Sequence, residues 1–352
     1  VSSSEEKKAG FLAIELDGAG YENLAAAVLA AESAGFHVAT FADGRVPGRT
    51  NALQRAAFAG PVTRTIAVVP EVDTVYTEPF HISTQLASLD YVSGGRAGWI
   101  VTAAESPEAA AAVGRSSVVG AALAQEAAAS IEVGRRLWDS WEDDAVIRDV
   151  ATGRYIDVDK LHYADFETPS DFSGPGYSVK GPSIIPRPLQ GQLPVLAAAS
   201  LVGGGAVPAD AVDAVLVSAP TPELLAAEVR DVRARLGASV AVVAELDVVL
   251  DARGEAAVSR AGTLAANGRA RFVGSPADLT ELLDALLQEA DGVRLHPAVF
   301  DAELDELSRL VLPELRRRGS LRAPIQDGTF RELLGLAPAE NRYETTASGA
   351  GK

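Results

Sequence analysis

Short apolar runs alternate with alanine-rich helical stretches along almost all of this 352-residue chain, and that order restricts the fold more than any single motif. The apolar runs fall at residues 10–17 (GFLAIELD), 36–41, 65–72 (TIAVVPEV), 96–103, 194–200 (PVLAAAS), 213–219 (DAVLVSA), 240–250 (VAVVAELDVVL) and 292–295. Helices are expected between them: over 21–34, 51–59 and 79–90 (with Pro79 in the first turn), on to about residue 141, then over 221–236, 276–288 and 301–317. Repeated β–α order calls for parallel strands joined by helical crossovers. Eight such units in a chain of this length match an α/β chain folded as a (β/α)8 TIM barrel. A doubly wound open sheet is the alternative, because periodicity alone does not fix closure. No G-x-G-x-x-G follows the first run, and Gly203-Gly204-Gly205, after the fifth, lacks that spacing. The expectation is one barrel domain over 1–352. It carries an irregular insertion at about 143–192, after the fourth βα unit, and a C-terminal tail over about 320–352.

Composition narrows the function. Hydrophobic residues make up 47% of the chain and aromatics only 6%, so packing rests on aliphatic side chains. Lys and Arg total 31 against 48 Asp and Glu, and the net charge of −17 repels phosphate backbones, so nucleic acid is not an expected partner. One phosphorylated cofactor stays compatible, since a local nest of backbone N–H groups can hold it. The absence of cysteine excludes disulfides, thiolate metal sites and a cysteine nucleophile. The four histidines, at 37, 81, 162 and 296, lack His-x-x-x-His spacing, and no metal site is expected from them. The opening VSSSEEKKAG has no signal-peptide core, and no apolar run reaches the roughly 18 residues of a membrane span. A cytoplasmic protein without membrane contact is expected.

Barrel chemistry sits where strands end and loops begin. That shortlists Asp17, Asp43, residues 73–78, residues 102–106, Ser200, Ser218, Asp247 and His296. His296, after GVRL, ends the eighth run, and its near-neutral titration makes it a candidate general acid or base. Tyr76 is a candidate hydrogen-bond partner for substrate. Plainer roles compete. Glu78 suits an N-cap for the helix opening at Pro79. Trp138 and Trp141, three apart, suit a shared packed face. Asp139, Glu142, Asp143 and Asp144 read as a solvated helix end, and Arg187 as a contact to a neighbouring segment. His81 falls in a helix's first turn, His162 in the insertion near a substrate entrance, and His37 at the wrong end of a strand. Ser200 with residues 203–205 suits either a phosphate nest or a loop that simply has to turn.

Longer motifs carry a resemblance. FADG (41–44), TVYTEPF (74–80), ASLDYVSGGRAGW (87–99), LWDSWEDDA (137–145), YSVKGPSIIPRPLQGQLPV (177–195), GSPADL (274–279) and FRELLGLAPAENR (330–342) follow one another over nearly the whole chain. With them the chain resembles the luciferase-like flavin-dependent monooxygenase superfamily. The similar branch is that of two-component enzymes using reduced FMN on nitrilotriacetate, long-chain alkanes and organosulfur compounds. The resemblance implies a flavin at the C-terminal ends of the barrel strands and oxygen chemistry on a small organic substrate. It also implies a separate flavin reductase as partner and a homodimer or tetramer. By position it sets Asp43 and Thr74 beside the flavin and Ser200 at its phosphate. The superfamily includes deazaflavin-dependent hydride-transfer enzymes as well, and the sequence does not separate the two. A barrel that has lost flavin binding is the other class.

The site motifs depart from the family more than the scaffold motifs do. Relatives carry an asparagine where this chain has Ile100, which cannot hydrogen-bond a flavin edge; Thr102 is the polar replacement at hand. The histidine and tyrosine that relatives carry in the next helix are missing from 110–130, and Tyr21-Glu22-Asn23 replaces a His-Pro pair. Residues 93–99 therefore read as scaffold, with Arg96 and Trp99 locking the layer beneath the site. Residues 100–106 are where cofactor contact is expected.

Overall fold

All eight apolar runs become strands of one sheet in the computed structural model, which describes residues 9–16, 21–43, 50–203, 207–262, 266–324 and 326–344. The strands are β1 Phe11–Glu15, β2 Val38–Phe41, β3 Ala67–Asp73, β4 Trp99–Thr102, β5 Val195–Ala198, β6 Ala214–Val217, β7 Ala241–Leu250 and β8 Gly292–Pro297. Every neighbouring pair is parallel. The β6–β7, β7–β8 and β8–β1 ladders complete the circuit, so the sheet is a closed barrel and not a doubly wound sheet. Of the shortlisted positions, Asp17 lies outside the described residues, as do Gly44 of FADG and Gly204 and Gly205 of the glycine run.

The helices are α1 Leu24–Ala34, α2 Ala52–Val62, α3 Pro79–Ser93, α4 Pro107–Ala112, α5 Ala121–Asp139, α6 Ala199–Gly203, α7 Pro222–Leu236, α8 Ala257–Ala261, α9 Pro276–Glu289, α10 Phe300–Glu306, α11 Leu312–Arg317 and α12 Phe330–Leu334. Caps explain their starts. Asn51, Ser106, Thr221 and Ser275 each accept a hydrogen bond from a first-turn amide of α2, α4, α7 and α9. The helix expected at 301–317 is interrupted by a π turn, Leu307–Val311, just before Pro313, which cannot donate the regular backbone bond. One strand escaped the sequence reading: Ala270–Gly274 pairs with Leu246–Leu250. β7 is ten residues long, so its far half outruns β6 and takes this extra partner. The stretch between α5 and β5 is irregular apart from two short hairpins, Val146–Asp149 with Arg154–Ile156 and Phe166–Glu167 with Ser178–Val179.

Two cores follow from the strand period of two. Outward residues pack against the helices, while inward ones such as Phe11, Val69, Ile100, Leu196 and Val243 fill the barrel. Phe330 and Leu333 of α12 enter that inner core from the N-terminal side and close the barrel floor. The SGGRAGW turn is cut to receive them. Phe330 N donates to Gly95 O, and a Cβ on Gly98 would lie 2.5 Å from Phe330 Cε1. Arg96 is buried and donates to Thr63 Oγ1 and to the carbonyls of Gly60, Thr63 and Ile66, tying α2 to the strand that follows it. Trp99 points outward onto Trp138, edge to face at 6.4 Å. Both residues are therefore the scaffold that the motif implied.

Asp90 of the same motif is also buried, accepting from the main-chain and side-chain nitrogens of Gln190. Burial pushes its carboxyl up to about 6, against the pull of those hydrogen bonds.

Phe330→Ala should cost about 3–5 kcal/mol in denaturant unfolding. Gly98→Ala should be markedly less harmful in that background than in the parent, because its clash partner has gone. An acid whose pKa is higher folded than unfolded favours the fold below its unfolded value and loses that contribution as pH rises through the folded value. The stability of Asp90→Asn relative to the parent should therefore rise by up to about 3 kcal/mol between roughly pH 4 and pH 7 in parallel urea titrations.

Candidate functional site

At the C-terminal ends of the strands the inward positions change from aliphatic to ionisable. β1 reads Phe11, Ala13, Glu15 inward, β3 reads Ala67, Val69, Glu71, and β7 reads Ala241, Val243, Glu245. Into this layer β8 delivers Arg294, which is 2% exposed. Its Nη2 lies 2.5 Å from Glu15 Oε2 and 2.7 Å from Glu71 Oε1, its Nη1 lies 3.0 Å from Glu245 Oε1, and its Nε donates to Thr40 Oγ1 at 2.9 Å. Four donors thus reach four other strands, which a planar guanidinium can do and an ammonium cannot. Burial alone would lower the Arg294 pKa, but the three carboxylates raise it above the usual arginine range.

Above this layer stands His296, also on β8, with Nε2 3.3 Å from Glu245 Oε1. Glu245 Oε2 accepts from Ser218 Oγ at 2.6 Å, so one carboxylate joins β6, β7 and β8. Burial would raise the Glu245 pKa; its bond to His296, the charge of Arg294 and the Ser218 hydroxyl bring it down to about 2. On the opposite wall Asp43, half-buried, accepts from Ala52 N at 3.4 Å. Burial, with repulsion from Asp73 and Glu71, raises its pKa, and Arg55 opposes that rise.

The other sequence-predicted residues take varied places. Thr102 ends β4 one inward position above Ile100 and is partly open. Thr74 is 1% exposed, its hydroxyl given to Thr102 O at 3.0 Å. Tyr76 is buried, its oxygen accepting from Val118 N at 3.0 Å. Ser200 is exposed in the first turn of α6 and, with Ser218, Gly203, Glu228 and Arg235, lines a cleft of about 420 Å³. At Gly203 a Cβ would sit 3.2 Å from Arg235 Nη1, so the missing side chain leaves room for the guanidinium. His296 and Ser200 are thus brought toward one carboxylate and its serine, while Asp43 and Thr102 stand on the β2–β4 side.

The plainer roles mostly hold. Glu78 caps α3, accepting from Phe80 N and His81 N at 3.0 and 2.7 Å. His37 accepts from Leu12 N and bonds Arg322 O at the barrel floor. His162 bonds Glu142 and stacks on Tyr343 at 4.3 Å. Arg187 does contact a neighbouring segment, through Ala339 O, and also pairs with Asp139 and Asp143. The acidic run is not uniformly solvated. Asp139 is 3% exposed and pairs with Arg187 and Arg342, so its charge is structural. Trp138 and Trp141 do not share a face, because α5 ends between them; Trp138 donates to Ser83 O and Trp141 to Ser183 O. Sequence reading missed Glu15, Glu71, Glu245 and Arg294. The signal was present as charged residues on the inward phase of otherwise apolar strands. Among the described residues no group of three His, Asp or Glu side chains is arranged to hold a metal ion, and no helix is long and apolar enough to cross a membrane.

A closed parallel barrel with ionisable groups gathered at the C-terminal mouth is the architecture of barrel enzymes. The chain belongs to the luciferase-like monooxygenase family, whose model matches residues 8–328. It is 26% identical to nitrilotriacetate monooxygenase component A of Aminobacter aminovorans, over 80% of this chain and 77% of that one. It is 36% identical to N-acetyl-S-(2-succino)cysteine monooxygenase of Bacillus subtilis, over 45% of this chain, and spans only 34% of that relative's length. Among solved structures, riboflavin lyase with modified FMN and riboflavin superposes with a TM-score of 0.78 at 20% identity, covering 94% of this chain and 97% of that one.

The charged layer makes a direct prediction. Arg294→Met leaves one buried and two partly buried carboxylates without their shared cation and should destabilise the protein by about 3–5 kcal/mol in urea unfolding, with a loss that shrinks as pH falls toward 4.

Proposed function

We propose that the protein is a flavin-dependent monooxygenase that takes reduced FMN from a separate reductase and oxidises a small organic molecule with dioxygen, working in the cytoplasm as a homodimer or tetramer. The observation that carries this reading is family membership over residues 8–328 combined with a polar barrel mouth that meets the needs of a flavin. Those needs are a phosphate anchor, a flat floor and polar groups at the ring edge. Ser200, Ser218 and Arg235 line the cleft suited to the phosphate, together with Glu228, which lies 3.6 Å from the Arg235 guanidinium. Ile100 and Leu196 belong to the apolar core beneath the mouth, and Thr102 and Asp43 supply polar edges. Thr74 bears on the ring through Thr102, whose carbonyl it fixes.

When bound, a reduced flavin supplies the electrons with which dioxygen is divided between substrate and water. The chain's contribution is to hold the ring, exclude water and handle protons, for which His296 and Tyr76 are the groups at hand. The named relatives act on nitrilotriacetate and N-acetyl-S-(2-succino)cysteine, which supports a small organic substrate. The superposable lyase holds a modified FMN, which supports FMN, while other superposable structures are of coenzyme F420-dependent enzymes, so a deazaflavin is kept as the second cofactor to test.

Fluorescence titration with FMN, anaerobically reduced FMN and a deazaflavin tests the reading. Saturable binding of reduced FMN is expected, and Ser200→Asp should weaken it about tenfold or more by setting like charge against the phosphate. Unchanged affinity in that variant would move the phosphate elsewhere. No binding of any of the three at large excess would remove the enzymatic reading.

A further inference from the structure

The geometry points to Glu245 as the positioning residue of the site: its carboxylate fixes the His296 ring with Nε2 as the donor, leaving Nδ1 as the atom that gives or takes a proton at the barrel mouth. This rests on the reading of His296 as a proton-handling group. It adds which atom acts and which residue decides that.

The argument begins with charge. Glu15, Glu71 and Glu245 all contact Arg294, three carboxylates on one guanidinium. One of them is enough to neutralise it, and Glu15 and Glu71 already share its Nη2. Above them Asp247, opposite His296 in the strand register, is met by Arg269 and Arg271, so it does not compete for the imidazole. Glu303, behind β7, is paired with Arg260. Among the described residues, then, the Arg294 cluster holds surplus negative charge, and Glu245 is the member within reach of His296.

Geometry adds direction. Glu245 is held from three sides: its own strand β7, Arg294 at 3.0 Å and Ser218 at 2.6 Å. A carboxylate so held, and ionised far below neutral pH, can only accept from the imidazole. Nε2 must therefore carry the hydrogen, and the neutral ring has its lone pair on Nδ1. When His296 takes a second proton, the same carboxylate stabilises the cation. The Nε2–Oε1 separation of 3.3 Å is at the long end for a hydrogen bond.

Histidine-selective ¹⁵N NMR reads this directly, since the chain holds only four histidines and His296→Gln assigns the signal. At about pH 8, where a free imidazole is mostly neutral, the unsubstituted protein should show His296 as the Nε2–H tautomer. Glu245→Gln should mix the two tautomers. A dominant Nδ1–H form in the unsubstituted protein overturns the inference, and that measurement needs no Glu245 variant to fold. An identical tautomer population in folded Glu245→Gln overturns it too.

A second arm supplies reduced FMN from a flavin reductase and follows flavin turnover. Glu245→Gln should slow it roughly tenfold or more while FMN affinity stays within about twofold, with Glu245→Asp intermediate. Slower turnover accompanied by an equal loss of FMN affinity would make Glu245 merely structural. If the tautomer is as stated but His296→Gln turns over normally, the dyad stands and the role given to His296 falls.

Discussion

One buried guanidinium organises the upper half of this barrel. Arg294 is almost wholly buried, and the interior tolerates such a charge only with partners on several sides. Those partners come from β1, β2, β3 and β7, so the side chain acts as a hub between strands that are far apart in sequence. Below this layer the interior is aliphatic and needs only volume and shape. Above it the strands release polar side chains to the mouth. The layer marks the boundary between the part of the barrel that must stay rigid and the part that is available for chemistry.

The other end is closed by a different device. α12 carries Phe330 and Leu333 into the inner core, and the chain after it runs back along α5. Arg331 donates to Gln192 O and Ala337 O, Asn341 to the carbonyls of Asp139 and Trp141, and Arg342 pairs with Asp139. Gln190 joins this strap to the scaffold turn: its Nε2 donates to Asp90 and to Ala97 O, and its Oε1 accepts from Arg331 N. The motifs around 90, 140, 190 and 335 that looked separate along the sequence are thus one contact network.

Legibility in the sequence followed the strength of the local signal. The eight barrel strands were readable because buried parallel strands are continuous apolar runs, and turn residues bounded them. Ala270–Gly274 was not, because ARFVG carries a charge, is short, and forms a strand only through the overhang of β7. His296 and Ser200 could be placed at strand ends from spacing alone. The Arg294 cluster could not, since each carboxylate looks like an ordinary strand-end charge until closure brings five strands to one point. Asp139 misled for the same reason: a run of acids reads as solvated, and only the insertion and the returning tail supply Arg187 and Arg342, which pair with it.

The plug has a consequence for how the molecule comes into being. α12 lies some thirty residues beyond the last barrel strand, so during synthesis all eight strands emerge before the side chains that fill the barrel floor. Until that segment leaves the ribosome, the nascent barrel has an open apolar base, with Val69 and Gly98 bordering the gap that Phe330 will occupy. α12 thus completes the inner core only after the eight strands have been made. A chain interrupted before it would display its interior to any hydrophobic surface, and to the quality-control machinery that recognises one.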